Sequence, residues 1–175
     1  MKAIQLLPFG NVPPALLGEL CKSLAKEFSA TCKILENEPD PSYALNPRRQ
    51  QYSSTELLAA MAARSVPVAT RLLGVISSDL YIPILTFVFG EAQLNGRCAI
   101  VSTFRLRQEF YGLPSGPDLL ISRLVKESVH ELGHTLGISH CDDYECVMAP
   151  SHTVEWIDLK KASLCESCRE VAAAR

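Results

Sequence analysis

The sequence predicts an α/β (α+β) fold with a mixed, partly antiparallel sheet, one long helix and a helical carboxy-terminal part. Short runs rich in β-branched and aromatic residues alternate with segments whose apolar residues recur every three or four positions. The length of 175 residues, with 47% hydrophobic and 21% charged residues, fits one compact unit. We therefore predict a single domain over residues 1–175, divided into a sheet-and-helix part (about 1–138) and a carboxy-terminal part (about 139–175).

The first fifty residues predict a strand, a helix, a second strand and a loop. Residues 3–7 are an apolar β-type run, and Pro13-Pro14 then opens a helix whose leucines recur at helical spacing. Residues 31–35 are the second strand. Three prolines within residues 37–51 favour an exposed, irregular loop.

The middle of the chain predicts one helix and three strands. Residues 53–56, Ser-Ser-Thr-Glu, are a capping sequence for a helix that runs to about residue 64, and an apolar strand follows over 72–76. Residues 85–89 and 99–104 have β-type composition with glycine-containing breakers between them. They predict an antiparallel pair.

Two helical segments complete the chain. Ser115 is the predicted N-cap of a long helix, with Pro117 in its first turn, and this helix leads into a histidine-rich segment. Residues 155–175 are helical in character.

The net charge and the hydropathy of the sequence argue against nucleic acid and membranes as partners. A net charge of −2 and a pI near 6.1 give no basic surface for nucleic acid, so a nucleic-acid-binding module is disfavoured. The apolar stretch over 81–90 is too short to span a membrane, and the amino terminus lacks a secretory apolar region. We expect a cytoplasmic protein without a membrane partner; the oligomeric state is open.

The segment HELGHTLGISH, residues 130–140, predicts a catalytic zinc site. His130 and His134 lie four residues apart on one helix face, and Gly137 permits a turn that returns His140 to them. Three imidazoles leave zinc a fourth position for water, which is typical of catalytic sites. Glu131 stands beside the metal face as the predicted catalytic residue.

Four cysteines predict a second, structural zinc ion, which would brace the carboxy-terminal part. Cys141 and Cys146 form one pair, and Cys165 and Cys168 form another, at spacings that suit a tetrahedral site. A dithiol redox pair at Cys165 and Cys168, or free thiols, are the alternatives. The remaining cysteines are interpreted as small buried thiols: Cys21, Cys32 and Cys98.

With both clusters in view, the sequence resembles the archaemetzincins, a branch of the metzincin metallopeptidases. The resemblance rests on the run FVFGEA at residues 87–92 and on the spacing H-E-x-x-H-x-x-G-x-x-H-C-x4-C-x-M followed by C-x-x-C. It implies that Met148 is the Met-turn residue beneath the three imidazoles. It also implies a metzincin-like sheet whose edge strand, near residues 85–89, lies along the cleft and pairs with an extended peptide. Pro150 stands where some metzincins carry a tyrosine, so no such tyrosine assists here.

These observations predict a zinc-dependent metallopeptidase that acts on a peptide or protein substrate, with two zinc ions as cofactors. A zinc-bound water attacks the peptide bond and Glu131 is the general base. The alternative is a catalytically weak or inactive, zinc-stabilised peptide-binding adaptor on the same scaffold. His152, Tyr144 and Trp156 lie near the site in sequence and are candidates for the cleft wall, although we favour structural or surface roles for them.

Overall fold

The computed structural model describes residues 1–36 and 40–173. The helices are α1 (Pro14–Glu27), α2 (Ser54–Ala62), α3 (Pro117–Thr135), α4 (Val154–Leu159) and α5 (Glu166–Ala173). The strands are β1 (Ala3–Phe9), β2 (Thr31–Ile34), β3 (Leu45–Asn46), β4 (Gln51–Ser53), β5 (Thr70–Ile76), β6 (Leu80–Tyr81), β7 (Gly90–Ala92) and β8 (Cys98–Ser102). No helix within the described ranges has the length and apolar character needed to cross a membrane.

A five-stranded sheet in the order β2-β1-β5-β8-β7 forms the centre of the fold. Its first four strands run parallel, and β7 joins the edge antiparallel to β8. A small sheet in the order β3-β4-β6 lies apart from it. The mixed, partly antiparallel sheet confirms the predicted fold class.

Helices cover both faces of the five-stranded sheet. Because side chains alternate along a strand, Leu73 and Val75 of β5 join the core beneath α1 and α3, whereas Leu72 and Ile76 join the core beneath α2. All four side chains are buried, as expected for parallel strands flanked by helices. This packing holds α3 against β7 and β8, with its carboxy-terminal half in the interior.

The predictions of β1, β2, β5, α1 and α2 are confirmed, but the strand predicted at residues 85–89 is wrong. Those residues contain bends and one isolated antiparallel bridge, between Val88 and Leu80, and the antiparallel partner of β8 is β7 instead. The carbonyls of Leu85 and Thr86 accept hydrogen bonds from the Arg49 guanidinium at 2.9 and 2.8 Å rather than from a neighbouring strand. A side chain distant in sequence therefore replaces the expected ladder.

The loop predicted over residues 37–51 is only partly irregular, and residues 37–39 lie outside the described residues. A 3-10 helix spans Pro41–Ala44, and Asp40 caps it by accepting the Ser42 N–H at 3.0 Å. Proline is compatible with a first helical turn, where its missing N–H leaves no bond unmade.

The helix boundaries near the site also differ from the prediction. The N-cap of α3 is Gly116, not Ser115, and Pro117 is the first helical residue. Ser115 instead lies near the Glu109 carboxylate, and its side chain is the main cause that lowers the pKa of that carboxyl. The helix predicted over 155–175 is divided into α4 and α5, and its residues 174–175 lie outside the described part of the chain.

Cys21 and Cys32 form a disulfide between α1 and β2, with Cα atoms 5.5 Å apart. This corrects the prediction that they are separate buried thiols; both are half-buried. The parallel pairing of β2 with β1 places β2 beside α1, which spacing along the chain does not reveal. Cys98 is a buried free thiol, as predicted.

Candidate active site

The three predicted histidines are brought together by α3 and the turn that ends it. His130 and His134 lie one helical turn apart. Gly137 has φ of 82°, and the N–H groups of Gly137 and Ile138 bond back to the last turn of α3 in a Schellman motif. The chain then reverses, so that His140 meets the helix.

The imidazole rings of these three histidines form a compact cluster. The ring centroids are 4.6 Å apart for His130 and His134, 5.3 Å for His130 and His140, and 5.1 Å for His134 and His140. One ring nitrogen from each residue lies within 4.8 Å of the other two.

Hydrogen bonds determine which nitrogen of two rings faces inward. Nδ1 of His130 lies 2.8 Å from the carbonyl of Val147, and Nδ1 of His134 lies 2.7 Å from the carbonyl of Ile138. A carbonyl can only accept, so each Nδ1 carries the hydrogen and each Nε2 carries a lone pair. The two Nε2 atoms are 3.1 Å apart. Converging lone pairs favour a cation between them, and tetrahedral zinc holds its nitrogen ligands about 3.3 Å apart.

A metal ion fits between these nitrogens better than a proton does, because the imidazoles are held in their neutral form. Burial, the largest cause, lowers the pKa of all three imidazoles, and it holds the pKa of His130 well below its usual value. The nearby Lys160 ammonium lowers these pKa values further. The rings are therefore held neutral, which is the form that binds a metal.

Glu131 faces the same cleft as the histidines and is only 6% exposed. Burial raises the pKa of its carboxyl well above the usual value, and the carboxylates of Glu127 and Glu91 raise it further. Gly90 lies directly against this side chain: a Cβ at Gly90 would stand 2.7 Å from Cγ and Oε1 of Glu131. A glycine at the start of β7 thus makes room for the carboxylate.

A cleft of about 340 Å³ opens over the cluster. One wall is the segment 85–90, and the opposite wall is the segment 150–152, which follows Met148. His152 was a candidate for the cleft wall, and it lies in this wall with its side chain exposed. Tyr144 and Trp156 lie outside the cleft, beside a neighbouring hollow.

Met148 is completely buried and packs beneath the helix that carries the histidines. Its sulfur occupies the space that a side chain at Gly133 would take. Gly133 lies between His130 and His134 in sequence, so Met148 supports the helix where both imidazoles arise.

The structure also assembles the four cysteines. The Sγ atoms of Cys141 and Cys165 are 3.8 Å apart, as are those of Cys146 and Cys168. Tetrahedral zinc with Zn–S bonds of about 2.3 Å sets its sulfurs about 3.8 Å apart. Cys146 Sγ also accepts the N–H groups of Met148 at 3.5 Å and Cys165 at 3.3 Å. The cluster fits a closed, structural zinc site.

Sequence reasoning missed a buried charge pair behind the histidines. Lys160 Nζ lies 3.4 Å from Oε1 of Glu127, which lines the floor of the cleft. Helical spacing could have predicted Glu127, because it lies one turn before Glu131 on the same face of α3. No sequence pattern predicts Lys160, because it reaches the site only through the packing of α4 on α3.

Comparison with known proteins identifies the family of this chain. The model of peptidase family M54 matches residues 55–173. The chain is 41% identical over 165 residues to the archaemetzincin of Methanocaldococcus jannaschii, covering 94% of this chain and 89% of that one. It is 36% identical to the archaemetzincin of Thermococcus kodakarensis, covering 96% and 94% of the two chains.

Solved structures show the same fold. The crystal structure of archaemetzincin from Methanopyrus kandleri is similar, with a TM-score of 0.85, 33% identity and coverage of 99% of this chain and 94% of that one. The Archaeoglobus fulgidus archaemetzincin, complexed with malonate, gives a TM-score of 0.83 at 36% identity, with coverage of 97% and 99%. The chain therefore belongs to peptidase family M54, the archaemetzincins, and is a zinc metallopeptidase.

Proposed function

We propose that His130, His134 and His140 hold the catalytic zinc ion and that Glu131 is the general base of peptide hydrolysis. The observation that carries this proposal is the convergence of two lone-pair nitrogens, 3.1 Å apart, in the cleft that Glu131 faces. Zinc, when bound, acts as a Lewis acid that polarises the scissile carbonyl and lowers the pKa of water.

Glu131 moves the proton in this mechanism. Its carboxylate takes a proton from the attacking water and returns it to the leaving amine. Burial, which raises the pKa of this carboxyl, favours the protonated form that carries the proton from the first step to the second. Gly90 and the buried Glu127 on either side keep the carboxyl away from bulk water.

The four cysteines hold a second, structural zinc ion in this proposal, and Met148 supports the active-site helix from below. The cysteine site joins the turn after His140 to the start of α5, so metal binding stabilises the wall of the cleft. Residues 1–175 act as one domain in this proposal, because one five-stranded sheet contributes side chains to the cores on both of its faces. A peptide or protein substrate lies extended between the walls at 85–90 and 150–152.

Cleavage of a peptide library by the zinc-loaded native chain and by Glu131→Gln tests this assignment. We expect about a 10²- to 10⁴-fold loss of rate in the variant, with zinc content unchanged. Asp118→Asn, an exposed carboxylate-to-amide change at the start of the same helix, is the matched control and should retain the native rate. Equal rates for native protein and Glu131→Gln would show that Glu131 is not the base.

A further inference from the structure

A second hollow, of about 220 Å³, adjoins the cleft on the far side of the wall formed by residues 149–152. Its lining is mainly apolar and includes Tyr144, Ala149, Pro150, Trp156 and Leu159. Three of these side chains are large and exposed: Tyr144 at 71%, Trp156 at 51% and Leu159 at 70%. Single exposed apolar residues are ordinary, but three around one concavity are typical of a binding site.

The hollow borders the cleft. Pro150 lines both, and the consecutive residues His140 and Cys141 divide between them, with His140 in the cleft and Cys141 in the hollow. The ring of His152 in the cleft wall meets the ring of Trp156 edge-on, with centroids 5.8 Å apart. One layer of residues therefore separates the two spaces.

The position of the hollow points to the substrate as its occupant, because Pro150 lines both the hollow and the cleft that holds the histidines. An extended peptide advances about 3.3–3.6 Å per residue, so a chain that passes over Pro150 places a side chain in the hollow a few residues from the scissile bond. The ammonium of Lys160 does not offer a positive charge there, since it is bonded inward to Glu127 and to the Ala149 carbonyl. The exposed carboxylate at the rim, Asp142, disfavours an acidic group.

We propose that this hollow is a substrate subsite that binds an apolar or aromatic side chain of the peptide and rejects an acidic one. The proposal rests on the proposed function, because it requires the peptide to run through the histidine cleft. It gives the enzyme a preference for extended substrates that carry a hydrophobic residue a few positions from the cleaved bond.

Trp156 is the single tryptophan of the chain, so its fluorescence reports on the hollow directly. Zinc-loaded Glu131→Gln is titrated with alanine-based decapeptides in which one position is Phe, Ala or Asp. We expect the Phe peptides to shift the Trp156 emission, and the Asp peptides to leave it unchanged.

The variant Leu159→Asp, made in the Glu131→Gln protein, should weaken binding of the Phe peptides about tenfold or more. Leu94→Asp alters another exposed leucine, at 60%, that lines neither space, and should not weaken binding.

Other outcomes overturn the proposal. If Phe and Asp peptides bind equally well, or if Leu159→Asp and Leu94→Asp behave alike, the hollow is not a subsite, even where Glu131→Gln has abolished hydrolysis. If Trp156 emission changes on dilution without peptide and sedimentation shows self-association, a second copy of the chain covers the hollow instead. Loss of the Glu131 effect with the Trp156 response intact would overturn the catalytic assignment and not the binding site.

Discussion

The ammonium of Lys160 lies 3.4 Å from the carboxylate of Glu127, and the two side chains are only 1% and 4% exposed. The same ammonium donates to the carbonyls of Val147 at 3.2 Å and Ala149 at 2.7 Å. Val147 in turn accepts the Nδ1–H of His130. One buried lysine therefore connects α4, the chain around Met148 and the active-site helix.

We predict that Lys160→Met lowers the free energy of unfolding of the zinc-loaded chain by about 3–5 kcal/mol, because it leaves the Glu127 charge buried without a partner. Urea unfolding measures this loss, and the double variant Glu127→Gln/Lys160→Met should recover part of it. Lys161→Met, which removes an exposed pair with Glu145, should cost less than about 1 kcal/mol. Equal losses for the two lysine variants would contradict the role of Lys160.

Gly133→Ala should destabilise the protein by about 1–3 kcal/mol, although alanine normally favours a helix. The physical reason is that the sulfur of Met148 occupies the space of the new methyl group. Gly18→Ala in α1, where a Cβ meets no atom within 4 Å, is the control and should stabilise by about 0.4–1 kcal/mol. Thermal unfolding compares them; a gain in both variants would mean that Met148 does not press on α3.

Gly90→Ala should slow peptide hydrolysis about 10²-fold while both metal sites remain filled. The new Cβ displaces the Glu131 carboxylate, and a catalytic group misplaced by about 1 Å costs roughly that factor. Because the Cβ also presses on the Ile100 carbonyl, circular dichroism must confirm that the variant is folded. A folded, zinc-loaded variant with the native rate would show that Glu131 tolerates the displacement.

Replacing both cysteines of the disulfide, as Cys21→Ser/Cys32→Ser, should lower the free energy of unfolding by about 3 kcal/mol, from the loss of loop-closure entropy over a separation of 11 residues. The disulfide lies at the β2 edge of the sheet, away from the histidines, so hydrolysis should continue at the native rate. Unchanged stability in denaturant would indicate that the bond contributes nothing to folding.

The sequence pattern was sufficient to predict an element where the residues of that element alone determine its structure. The apolar periodicity of α1, the capping sequence before α2 and the glycine that ends α3 are all local, and the structure has each of them. The clustering of His130, His134 and His140 was predictable for the same reason, because helix geometry and one turn bring them together.

The sequence pattern did not predict the structure where a residue distant in sequence determines it. The β-type composition of residues 85–89 does not reveal that Arg49 takes the carbonyls of Leu85 and Thr86. The pairing of Cys21 with Cys32 depends on which strand β2 adjoins, and Lys160 reaches Glu127 through helix packing. In each case the partner is set by tertiary packing.

Zinc stoichiometry tests the central assignment most directly. We predict two zinc ions per native chain and one in each of His134→Ala and Cys165→Ser, measured by elemental analysis of purified protein. X-ray absorption should then show sulfur ligands alone in His134→Ala and nitrogen or oxygen ligands alone in Cys165→Ser. A native chain that holds one zinc ion when fully loaded, or a His134→Ala chain that keeps both, would contradict the account.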